Sequence, residues 1–150
     1  MARLIARLWY APGSRIVSVD LLQKRLTENL GCTVEKLETG AEMPVLRVTA
    51  PAHLLLRIEN HDSIAMEASD IASQIDAGGG RNPAADKLRG CTRRIDIGAE
   101  PETDPDSDTV RPILTGLTSG LDAVLEDCVH GRLTLAQRPK KSLMQKLLGR

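Results

Sequence analysis

Apolar residues fill Arg3 to Tyr10 with arginines interleaved, and the turn signal Ala11-Pro12-Gly13-Ser14 closes the run, which predicts a first strand. Ser18 is a good N-cap, and Val19, Leu22, Leu26 and Leu30 recur at helical steps until Gly31 stops them. Three short strand-like runs follow, from Thr33 to Glu38, Pro44 to Thr49 and His53 to Glu59, and suggest an antiparallel meander. Ile64, Ala68, Ile71 and Ile75 mark a second helix, capped by Asp62 or Ser63 and ended by Gly78-Gly79-Gly80. Asn82 and Pro83 suit the N-cap and first position of a short helix running to Arg89.

Thr92 to Gly98 alternates, with Ile95 and Ile97 on one face and Arg94 and Asp96 on the other, as a half-buried strand does. After an acidic loop from Ala99 to Asp108, a stripe of Val110, Ile113, Leu114, Leu117, Leu121, Val124 and Leu125 predicts a long helix from Thr109 to Val129. Arg132 to Ala136 reads as a last strand. Pro139 separates a terminal piece, Lys140 to Leu148, with helical spacing.

This order predicts a single α+β domain over residues 1–137, with a mixed or mainly antiparallel sheet of about five to six strands and the helices packed on one face. Residues 138–150 form a basic amphipathic tail. With 41% apolar and 27% charged residues in a chain of 150, the composition is that of an ordinary globular protein.

Formal charge balances at zero, so no global field draws in nucleic acid. The distribution is uneven. Between Ile95 and Cys128 nine acids face the single base Arg111, and from Gly131 to Arg150 six bases meet no acid. One Trp, one Tyr and no Phe cannot supply the stacking platforms of single-strand nucleic-acid binders or an aromatic cage. Cys32, Cys91 and Cys128 are odd in number and widely separated, which suits reduced thiols in the cytoplasm better than a disulfide framework. No run is long and apolar enough for a membrane span, and the N-terminal stretch lacks the pattern of a secretory signal.

Four constellations bear on chemistry. Asp104, Asp106 and Asp108 alternate as at the start of a calcium loop, but Thr109 and Thr115 stand where Gly and Glu are needed. Asp108 as the cap of the long helix, with Asp104 and Asp106 near its positive end, explains them better. Gly79, Gly80, Arg81 and Asn82 combine free backbone amides, a guanidinium and a helix start, the parts of an anion site, without a nucleotide fingerprint. Cys128 and His130, together with His53 and His61, lack metal spacing, so no metal and no cofactor is expected; Cys128 reads as core and His130 as a helix C-terminal cap. The tail places Lys140, Lys141 and Lys146 apart from Leu143, Met144, Leu147 and Leu148.

No spacing singles out a general acid and base, so no catalytic residue is assigned. The expected function is a non-enzymatic protein-interaction or regulatory module that meets a partner, or a second copy, through Asp104 and Asp106 or through Lys140, Lys141 and Lys146. The alternative is a binding domain or enzyme for an anionic small molecule, using the glycine-rich turn.

Overall fold

In the computed structural model, residues 2–11, 18–38, 44–59, 61–79 and 82–135 are described. The strands are β1 (Arg3–Tyr10), β2 (Thr33–Leu37), β3 (Val45–Ala50), β4 (Leu54–Glu59), β5 (Arg93–Ala99), β6 (Val124–Asp127) and β7 (Arg132–Leu135). The helices are α1 (Val19–Lys24), continued by a π-helical turn over Arg25–Asn29, then α2 (Ser63–Ala77), α3 (Pro83–Leu88) and α4 (Val110–Leu121). None is long and apolar enough to cross a membrane. The terminal segment with Lys140, Lys141 and Lys146 lies outside the described residues.

All strand pairs are antiparallel, in the order β2-β3-β4-β5-β1-β6-β7. The α+β class and the antiparallel sheet agree with the sequence pattern. Among the described residues the strands number seven rather than five or six, because Val124–Asp127 pairs with β1 instead of extending a helix.

The stripe through Val124 and Leu125 keeps helical spacing, but the helix stops at Leu121. Asp122 takes the left-handed conformation (φ 51°, ψ 47°), and the Ala123 amide donates to the Thr118 carbonyl at 2.9 Å, closing the helix as a Schellman turn does. Freed from the helix, Val124 and Leu125 face opposite sides of the sheet. The helix begins differently as well: the Ser107 hydroxyl, not Asp108, accepts the Val110 amide at 3.2 Å.

Helices cover both faces, where sequence order placed them on one. Leu22 and Leu26 of the first helical segment and Val110, Ile113, Leu114 and Leu117 of α4 pack with Leu8, Leu46, Leu54, Leu56, Ile95 and Ile97. On the other face Trp9 and Val124 meet Ile64, Ala68 and Ala72 of α2 and Ala84, Ala85 and Leu88 of α3. Central strands that bury both faces require a layer on each, and the order of elements does not say to which face each helix returns.

The second face also carries a charged row. Arg57 stands opposite Asp96, Asp96 opposite Arg7 and Arg7 opposite Glu126, alternating in sign across β4, β5, β1 and β6. Arg7 lies 3.7 Å from Asp96 and 3.9 Å from Glu126, and Glu126 accepts the Trp9 indole N–H at 3.0 Å. Arg94, 7% exposed, sits over the Trp9 ring at 5.2 Å, pairs with Asp96 at 2.7 Å and bonds Glu67 of α2.

Candidate functional site

β6 and β7 form a hairpin at one edge of the sheet, with Leu125 opposite Thr134 and Asp127 opposite Arg132. Its turn is built by two local devices. Asp127 Oδ1 accepts the amides of Val129 (3.0 Å) and His130 (2.9 Å), and Gly131 takes a positive φ of 68° that suits glycine.

The acidic loop folds back onto this hairpin. Asp106 Oδ1 accepts from Arg111 Nη2 at 2.7 Å and lies 2.8 Å from His130 Nε2, while the same Arg111 nitrogen donates to Asp127 Oδ2 at 3.1 Å. Asp104 shapes the loop by accepting the Asp106 amide at 2.9 Å. The bonds from His130 and then Arg111 hold the Asp106 carboxyl below the ordinary carboxylate range. Burial alone would raise Asp127, but the His130 amide, Arg111 and the Val129 amide outweigh it, so it too is lowered. Asp106 and Asp127 are therefore fixed anions rather than groups poised to exchange protons near neutral pH.

Beside the hairpin lies a hollow of about 590 Å³, lined by Ile75 and Asn82 from the α2/α3 side, by Arg111 from α4, and by Leu125, Asp127 and Gly131 through Thr134. Leu133 belongs to the second face, where it packs against the Trp9 cluster, whereas Thr134 stands opposite Leu125 of the first core. A hollow lined from both faces of a terminal strand runs along that strand's free edge. Among the described residues β7 has no neighbour on this edge. An adjoining hollow of about 460 Å³ shares Ile75, Asp127, Gly131, Arg132 and Leu133 and continues to Leu4, Arg7, Ile71 and Cys128. A third, of about 280 Å³, crosses the open sheet by Leu4, Leu55 and Arg57.

The sequence-derived candidates are distributed as follows. Asn82 lines the larger hollow, but its side-chain oxygen accepts the Ala84 and Ala85 amides at 3.0 and 3.4 Å, so the cap consumes donors that an anion would need. Gly79 ends α2 with φ 93°. Gly80 and Arg81 lie outside the described residues, as do Lys140, Lys141 and Lys146. Asp106 reaches the site only through Arg111 and His130.

His130 is in the hairpin turn rather than at a helix end, and Cys128 is half-buried there on the second-face side rather than in the core of a helix. Burial, with Glu126 adding to it, pushes the Cys128 thiol up to about 11, and burial does the same to Cys91. Neither is a thiolate nucleophile at neutral pH. Among the described residues no group of three or more His, Cys, Asp or Glu is placed to hold a metal.

Arg111, Asp127, Arg132 and Thr134 escaped the sequence reading. The signal for Arg111 was present: it is the one base in a run of nine acids. Asp127 and its turn were hidden inside the predicted helix. The chain matches no family model, no curated protein and no solved structure.

Proposed function

We propose that the protein is a non-enzymatic interaction module that docks an extended segment of a partner along the free edge of β7. The observation that carries this reading is the position of the larger hollow, beside a strand edge that has no partner among the described residues, with helices above and below it. An edge strand presents a row of unpaired amides and carbonyls, and a chain added there gains main-chain hydrogen bonds while its side chains reach pockets on alternate faces. The surrounding groups favour holding over reacting, since the carboxylates are tied to Arg111 and His130 and Cys128 stays a thiol. A reducing compartment such as the cytosol suits the three free cysteines.

A photo-crosslinking residue at exposed Thr134 tests the proposal in lysate of the native source, with one at Met66 on the outer side of α2 as control. One dominant adduct from position 134 and none from position 66 is expected. Equal labelling from both positions, or no adduct at either, overturns the reading.

The size of the hollow and the presence of Asn82 favour a second reading, an anionic small-molecule site. Its weakness is that Asn82 and Arg111 already have partners. A thermal-shift series with inorganic phosphate and small dicarboxylates separates the two: stabilisation abolished by Arg132→Gln supports the small ligand.

A further inference from the structure

We propose that Asp106 is an internal stand-in for the carboxylate of a small aliphatic acid: it occupies Arg111 and His130 beside the larger hollow, and the incoming carboxylate takes its place on Arg111. This rests on the small-ligand reading above and not on edge docking.

The group already in place sets the chemistry of the ligand. Asp106 Oδ1 alone meets both Arg111 Nη2 and His130 Nε2, at 2.7 and 2.8 Å. The same Arg111 nitrogen serves Asp127 at 3.1 Å, so one nitrogen holds both carboxylates. The other nitrogens of this guanidinium make no hydrogen bond among the described residues. A guanidinium holds a carboxylate best through two parallel N–H bonds, and that stronger arrangement is open to an incoming acid.

The two resident carboxylates differ in how readily they leave. Asp106 is exposed, so its carboxylate returns to water at little cost. Buried Pro105 and the bonds to Asp104 keep the loop in place while that one side chain turns. Asp127 is buried, tied to the amides of Val129 and His130, and stays.

Charge and shape agree with this exchange. Arg111 and Arg132 line the hollow and are matched by Asp106 and Asp127, so withdrawal of Asp106 leaves one positive charge that a single carboxylate neutralises. Ile75, Leu125 and Leu133 line the same hollow and suit an aliphatic body. An internal contact that closes the site about nine-tenths of the time weakens binding about tenfold.

The test titrates the full chain with hexanoate and with uncharged hexanamide, following amide shifts by NMR and checking each variant's fold by circular dichroism. Asp106→Asn is expected to bind hexanoate about tenfold more tightly than the wild type. Asp108→Asn removes an equal charge from the same loop but no bond to Arg111, and should change affinity less than about twofold. Arg111→Lys keeps the charge without the fork and should abolish hexanoate binding. Hexanamide should bind none of these proteins. If hexanoate binds the wild type and Asp106→Asn alike, or Asp108→Asn gains as much as Asp106→Asn, the stand-in is wrong while the small-ligand reading stands. If hexanamide binds as well as hexanoate, if Arg111→Lys binds like the wild type, or if nothing binds any protein, both fall. Should Asp106→Asn fail to fold, the wild type decides alone: the Asp106 carboxyl carbon must shift with the midpoint of the hexanoate titration, and an unmoved signal overturns the inference.

Discussion

On one side of the sheet, leucines and isoleucines from the first helical segment and α4 interlock with those of β1, β3, β4 and β5. On the other, α2 and α3 bring Ala68, Ala72, Ala84 and Ala85 against a single large ring, Trp9, and the surrounding strands carry Arg7, Arg94, Asp96 and Glu126. The first face gains stability from apolar area and close packing. The second has less of either, because small side chains bring the helices near but bury little, and its geometry is fixed by paired charges instead. It is also the face left partly open, where hollows bordered by Leu4, Arg7 and Arg57 cross the strands. Apolar packing and charge pairing are thus divided between two sides of one sheet.

The contrast can be broken first at its strongest point. Leu8→Ala, at a fully buried position of the first core, should cost about 3 kcal/mol or more in urea unfolding, since a large-to-small change there leaves a cavity. On the second face, Arg94→Ala should cost about 2–3 kcal/mol through the charged bonds it makes to Asp96 and Glu67 and its packing over Trp9. The double change Arg94→Met with Asp96→Leu should recover most of that loss. If the double variant is no better than the single one, charge pairing is not what holds this face.

A smaller effect concerns pH. Because the folded Asp127 carboxyl is lowered, its contribution is present above the unfolded value of about 3.9 and is lost as pH falls through the lower folded value. Unfolding midpoints measured from pH 7 down to pH 2 should therefore drop more steeply for the wild type than for Asp127→Asn. At pH 7 that variant should be about 1–2 kcal/mol less stable, through the lost charged bond to Arg111.

The smallest comparison sets two caps side by side. Ser107→Ala, on the α4 side, and Asn82→Ala, on the α3 side, should each cost about 1 kcal/mol, and Asp108→Ala close to nothing. A larger loss for Asp108→Ala than for Ser107→Ala would restore the cap expected from sequence.

How much of this was legible beforehand depended on range. Elements defined by local chemistry came through: Asn82-Pro83 opens α3, Ser18 caps α1 through the Leu21 amide, and Gly31 follows the π-helical turn with φ 66°. The error at Leu121 arose because Val124 and Leu125 satisfy a helical and an extended pattern equally well, and pairing with β1, distant in sequence, decides between them. The same error concealed the hairpin and with it most of the candidate site. Asn82 and Asp106 were readable as unusual residues, yet their convergence on opposite sides of β7 was not, since it depends on where α3 and the acidic loop return to the sheet.

The place of β1 in the strand order matters to how the chain is made. Its neighbours are β5 and β6, so β1 waits roughly 90 and 120 residues of synthesis for the strands it pairs with, while β2, β3 and β4 can assemble as a local meander in the interval. During that wait Ile5, Leu8 and Trp9, all buried in the finished fold, lack the strands that flank them there and add exposed apolar surface to the partly folded chain. Closing the middle of the sheet then comes after the local meander rather than before it.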